Sequence, residues 1–119
     1  VKEFEDKILE IGPNKVAAFI AEPILASGGC IVHPKNYLKK FWEICKKYDV
    51  LYISDEVVTG FGRLGHFFSS EKEFGIIPDI ITTAKGITSG YIPLGAVLIS
   101  DALIKNISKE SSLFFHGYT

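Results

Sequence analysis

A chain of 119 residues suits one domain or part of one, and 47% hydrophobic with 23% charged residues is ordinary for a globular protein. The formal net charge of -1 supplies no electrostatic drive toward nucleic acid or an anionic membrane surface. No apolar run approaches the roughly 20 residues that span a bilayer, and the amino terminus lacks the basic-then-apolar pattern of a signal peptide.

Along the chain, Val16 to Ile24 is an apolar run interrupted by Glu22-Pro23, so a buried strand should end near Ala21. Ser27-Gly28-Gly29 is a loop signal. Pro34 suits the first turn of a helix that runs to Tyr48, where Leu38, Phe41, Trp42 and Cys45 recur at spacings of three and four. Lys39, Lys40, Lys46 and Lys47 read as the solvated face of that helix rather than a nucleic-acid patch. Val50 to Ser54 is the next strand, and Glu71 to Phe74 forms a short helical turn. Strands from Asp79 to Thr83 and from Leu94 to Ser100 follow, separated by a loop from Gly86 to Pro93. Asp101 should cap a helix that continues through Ile107. This rhythm predicts an α/β fold built on a mainly parallel sheet flanked by helices.

Cys30 and Cys45 lack paired spacing and read as buried thiols of a reducing compartment, with a disulfide as the lesser alternative and the cytoplasm as the expected location. The chain starts at Val1, contains no methionine and ends in Phe114-Phe115-His116-Gly117-Tyr118-Thr119, a stretch resembling the start of a site loop. It therefore reads as an internal fragment.

The densest chemical signal is Leu51-Tyr52-Ile53-Ser54-Asp55-Glu56-Val57 with Gly60-Phe61-Gly62-Arg63, followed by Thr82-Thr83-Ala84-Lys85-Gly86. Two apolar runs each stop at one charged residue and then break into glycine. Past the carboxyl ends of parallel strands, such residues face a common ligand crevice. Asp55 alone could cap a helix, bind a metal or sit on a loop, and most lysines are merely solvated. Together an acid and a lysine match the needs of pyridoxal phosphate, which takes an acid at its ring nitrogen and a lysine as a Schiff base. His33, His66 and His116 have no metal-ligand spacing, so no metal site is expected. Gly60-Phe61-Gly62 does not extend into a dinucleotide fingerprint, and no Gly-Lys-Ser/Thr phosphate loop exists. The aromatic residues near Gly62 and Gly117 read as core, or as walls of a pocket or subunit interface.

In order, Glu22-Pro23, Asp55-Glu56-Val57, Gly60-Phe61-Gly62-Arg63, Ala84-Lys85-Gly86 and Pro93-Leu94-Gly95-Ala96 resemble the class III pyridoxal-phosphate aminotransferases, enzymes of fold type I. The resemblance runs from Ala18 to Thr119. It implies that residues 1–119 are the central part of a large cofactor-binding domain, lacking amino-terminal segments and a small carboxyl-terminal domain. It makes Lys85 the catalytic Schiff-base lysine and Asp55 the partner of the pyridine nitrogen. Val57 would pack against the cofactor ring, and Glu22 would lie near the cofactor. Thr119, matching a His-Gly-[Tyr/Phe]-Thr segment, would bind the phosphate held by the neighbouring subunit of a homodimer or dimer of dimers. Arg63 belongs to the motif, with either a structural ion pair or a site role open to it. Val58 stands where many relatives carry a glutamine, and Leu25-Ala26-Ser27-Gly28-Gly29 lacks the Gly-Glu of relatives that handle glutamate or ornithine.

The activity implied is transfer of an amino group from a small amine or ω-amino acid to a keto acid, with pyruvate favoured, by a ping-pong route. An aminomutase or racemase of the same fold would share Lys85 and Asp55. A non-catalytic α/β binding domain is the rival from another class.

Overall fold

A computed structural model describes residues 1–110, with side chains described through Asn106. Chain order runs α1 (Lys2–Ile11), β1 (Ala18–Ala21), β2 (Ile24–Leu25), β3 (Ile31–Val32), α2 (Tyr37–Lys47), β4 (Leu51–Asp55), α3 (Ser69–Phe74), β5 (Ile80–Thr83), β6 (Ala96–Ile99) and α4 (Asp101–Glu110). Short 3-10 turns at Pro13–Lys15 and Lys85–Thr88 complete it. The main sheet has the order β1-β4-β5-β6. Its first three strands are parallel and β6 is antiparallel, with Thr83 opposite Ala96. The α/β class and the mainly parallel sheet agree with the sequence expectation.

Strand alternation divides the sheet into two unlike faces. Phe19 and Tyr52, paired in register, face α1 and α2, where Phe4, Phe19, Phe41 and Tyr52 form a chain of ring contacts 4.7–5.6 Å apart. Each such pair is worth about 0.5–1.5 kcal/mol beyond the area it buries. Ile8, Leu38, Ile44, Cys45, Val50 and Ile76 close this core. Lys47 and Tyr48 donate to Glu5 at 2.7 and 2.8 Å, pinning the end of α2 to α1. Asp79 ties the strands together. It accepts from the Tyr52 amide at 2.8 Å and from Lys46 at 2.6 Å, while its own carbonyl accepts from the Ser100 amide.

On the other face, Ile20, Ile53, Ile80 and Ile99 line up in one row across all four strands. Ile20 and Ile99 are exposed. One step further along the strands, the same face carries Asp55, Thr82 and Val97. Asp55 therefore points away from the aromatic core.

Several local expectations are corrected. Helix α2 starts at Tyr37 rather than Pro34, because Asn36 adopts a left-handed conformation that separates the proline turn from the helix. Ser100, not Asp101, caps α4, its Oγ accepting from the Leu103 amide at 3.4 Å while Asp101 is already helical. Cys30 is exposed and only Cys45 is buried; both are free thiols. Burial, reinforced by the charge of Asp79, pushes the Cys45 thiol up to about 11. Helix α1 and the small β2–β3 hairpin are additions to the expected elements. Among the described residues, no helix is long and apolar enough to cross a membrane.

Candidate active site

Because β1, β4 and β5 run parallel, Glu22, Asp55 and Lys85 all follow strands that end at one edge of the sheet. The antiparallel β6 starts at that same edge, which brings Pro93-Leu94-Gly95 back beside Ala84; a Cβ on Gly95 would lie 3.9 Å from the Ala84 Cβ.

Asp55 closes β4 and is half-buried. Its Oδ1 accepts from the Val57 amide at 3.0 Å, a local turn that holds the carboxylate in place. Its Oδ2 has no partner among the described residues. Beside it in register, Thr82 Oγ1 is buried and has no partner among the described residues. A buried hydroxyl without a partner is costly, so a polar group brought to this spot would gain its hydrogen bond.

Lys85 begins the turn after β5 with φ 44°, a left-handed conformation rare for a side-chain-bearing residue. Such strain costs on the order of 1–3 kcal/mol and persists where surrounding structure imposes it. The chain is closely packed beside it: a Cβ on Gly86 would come within 2.9 Å of the Phe61 Cβ. Phe61 itself has φ 58° and its amide donates to the Phe67 carbonyl at 2.7 Å. The exposed Lys85 amine has no hydrogen bond or ion pair among the described residues. It flanks a cleft of about 300 Å³ shared with Val58, Phe61 and Arg63, and a second of about 540 Å³ shared with Thr88, Tyr91 and Leu94.

The remaining expected residues divide. Val57 is half-buried and adjacent to Asp55 through the turn just described. Glu22 is level with Asp55 at the sheet edge, and one of its carboxylate oxygens accepts from the Ala26 amide at 3.1 Å. Arg63 makes no ion pair among the described residues and lines the cleft with Lys85 instead. Thr119 and His116 lie outside the described residues.

Glu56 carries more of this region than its sequence position suggests. It is fully buried, and its two oxygens accept from the amides and hydroxyls of Ser69 and Ser70 and from the Thr59 hydroxyl. Burial alone would push its carboxyl up, but these donors outweigh burial and hold it below the usual carboxylate value. A second acid beside Asp55 and a Ser-Ser pair heading α3 were the only sequence signals for it.

A depressed carboxyl has a definite pH signature. The unfolded chain takes the proton first, so the stabilisation is complete above the ordinary glutamate value and is lost as pH falls through the folded one. Urea midpoints should therefore decline below about pH 4.3. The decline should flatten in Glu56→Gln, which takes up no proton.

Residues 1–119 match the model of the family described as "Aminotransferase class-III" over their whole length. The chain belongs to that family. The match includes α1, ahead of the motifs that carry the resemblance in sequence. This class III aminotransferase chain is 49% identical over 118 residues to a putrescine–pyruvate aminotransferase of Pseudomonas aeruginosa, covering 99% of the chain and 25% of that relative. It is 48% identical to gamma aminobutyrate transaminase 2 of Solanum lycopersicum, covering 97% of the chain and 26% of that protein. Among solved structures it superposes on an (S)-enantioselective omega-transaminase from Thermomicrobium roseum with a TM-score of 0.91 at 44% identity, over 99% of this chain and 26% of the other. An omega transaminase from Pseudomonas jessenii in complex with PMP gives 0.85 at 46% identity, over 91% and 24%. These neighbours make the fold that of a fold-type I transaminase. The chain spans about a quarter of the length of the curated relatives it matches.

Proposed function

We propose that residues 1–119 are the central part of the large domain of a longer pyridoxal-phosphate aminotransferase. That enzyme would move an amino group from an amine or ω-amino acid to a keto acid. One observation carries the reading: Asp55 and Lys85 follow adjacent parallel strands at one sheet edge, each offering a polar group that nothing among the described residues engages. A free amine, a carboxylate oxygen without a partner and the orphaned Thr82 hydroxyl form a donor set that fits pyridoxal phosphate. The exposed Ile20 and Ile99 at the two ends of the isoleucine row support the larger domain, since apolar surface of that kind is normally covered.

When bound, the cofactor supplies an electron sink for the carbon that carries the substrate's amino group. Lys85 would hold it covalently through the ε-amine and yield that attachment to the incoming substrate amine. The freed Lys85 amine would then take the proton from the substrate carbon and return it on the cofactor side. An isolated lysine, with a pKa near 10.4, is a weak base at neutral pH, so its work depends on being held as an attachment first. Asp55 would keep the ring nitrogen protonated, because an opposite charge favours the charged form. Val57, held beside Asp55, would contact the ring.

Pyruvate is the favoured acceptor. The loop Leu25-Ala26-Ser27-Gly28-Gly29 offers no glutamate, and a relative is named for putrescine and pyruvate. Incubation of the full-length protein with a panel of diamines and ω-amino acids should yield alanine from pyruvate faster than glutamate from 2-oxoglutarate. No net amino transfer from any donor, or isomerisation of a single amino acid in its place, would overturn the assignment.

The working unit would be a homodimer or dimer of dimers with Thr119 reaching the phosphate in the neighbouring subunit, in the cytoplasm, where the exposed Cys30 stays reduced. Sedimentation should give a dimer or larger, and Thr119→Ala should weaken cofactor binding by about tenfold, as expected for a lost charge-assisted hydrogen bond. A fully active monomer would rule out a shared site.

A further inference from the structure

The proposed mechanism gives no part to Glu56, yet this residue ties together the three pieces that hold the site. Its amide donates to the Thr82 carbonyl at 2.8 Å, joining the end of β4 to β5 three residues before Lys85. Its carbonyl accepts from the Gly60 amide at 3.0 Å and from the Thr83 hydroxyl at 3.3 Å. Its carboxylate is the acceptor for five donors on Thr59, Ser69 and Ser70, anchoring the same turn to the start of α3.

The turn so anchored has no slack. A Cβ on Gly60 would sit 2.8 Å from the Glu56 carbonyl oxygen and 3.2 Å from the Thr83 hydroxyl. The next residue, Phe61, presses against Gly86 on the far side of Lys85. Displacing the Glu56 carboxylate therefore moves a turn that packs against Thr83 and Gly86, which bracket Lys85 in sequence, and is continuous with Asp55.

Resting on the aminotransferase reading, we propose that Glu56 is a positioning residue: by clamping Ser69 and Ser70 it sets the spacing between the Asp55 carboxylate and the Lys85 amine. It touches neither substrate nor cofactor. An acceptor-only carboxylate suits the task because all five partners donate. An amide in its place turns one end into a donor that faces other donors.

The test uses the full-length enzyme loaded with pyridoxal phosphate and the variants Glu56→Gln and Ser70→Ala. Ser70→Ala removes one hydroxyl donor, together with the partner of the Ser54 hydroxyl at 2.7 Å, and keeps both backbone donors, so it guards against a Glu56 variant that fails to fold. Three quantities are read: kcat and KM for pyruvate separately, and the pH at which the visible band of the bound cofactor changes. Small misplacements of reacting groups can cost up to about a hundredfold in rate, so Glu56→Gln should lower kcat by about 10- to 100-fold. KM should change little and the spectral transition should move. Ser70→Ala should move the same quantities in the same direction by less. Variants that lose only resistance to urea, with kcat and the spectral transition as in the parent, would overturn the proposal and leave Glu56 a purely structural anchor. If the Glu56 variant does not fold, an unchanged kcat and transition in Ser70→Ala overturns it equally. A parent that binds no cofactor would instead overturn the aminotransferase reading itself, and this proposal with it.

Discussion

Borohydride reduction of the full-length protein loaded with pyridoxal phosphate should leave the mass of the cofactor on the peptide that carries Lys85, and Lys85→Ala should abolish transamination. The expected loss is at least about 10³-fold, since the variant forfeits both the covalent attachment and the proton-transferring amine. The structure explains why this lysine is the candidate among the chain's many. Three others are committed elsewhere, Lys7 to Glu10, Lys46 to Asp79 and Lys47 to Glu5. Lys85 is held in a left-handed conformation at the exit of β5, with its amine unengaged among the described residues and beside two clefts. Label recovered on any other lysine, or appreciable turnover by Lys85→Ala, would remove it from the mechanism.

The second large effect is expected at Asp55. In Asp55→Asn the amide oxygen can still accept from the Val57 amide, so the local turn and the fold should survive. What is lost is the negative charge. A hydrogen bond to a charged group is worth about 1.5–3 kcal/mol, so cofactor affinity should weaken by roughly 10- to 150-fold. Turnover should fall by about 10²-fold or more, because a fixed charge aimed at the reacting system is lost along with the bond. Asp55→Ala, which also breaks the turn, should add a loss of stability that Asp55→Asn does not show. Wild-type affinity and turnover in Asp55→Asn, measured by cofactor titration and steady-state assay, would sink the role.

Local sequence chemistry determined the elements that bear the site. The apolar runs leading to Asp55 and Lys85 are β4 and β5, where Leu51, Tyr52 and Ile53, and then Ile80 and Ile81, precede the polar residues that end each strand. The spacing of Leu38, Phe41 and Cys45 likewise specified α2, whose buried residues are those and Ile44. Phe4, Ile8 and Ile11 carry a similar signal for α1, ended by Gly12, though the short charged segment gives it little contrast with a solvated terminus.

Tertiary structure alone decided the rest. Whether Ser100 or Asp101 caps α4 depends on which residue the sheet leaves extended, and Asn36 breaks the chain between Pro34 and α2 by adopting a left-handed turn. The direction of β6 follows from how the 86–95 loop returns to the edge where Lys85 lies, which periodicity does not encode. The same holds for the pairing of Asp55 with Thr82, 27 positions away, and for the capture of Glu56 by Ser69 and Ser70, 13 and 14 positions away. Periodicity and turn residues act over one or two turns of chain, so they specify elements. Which polar groups meet is settled only when the elements pack, because a buried carboxylate must find its donors wherever the fold happens to place them.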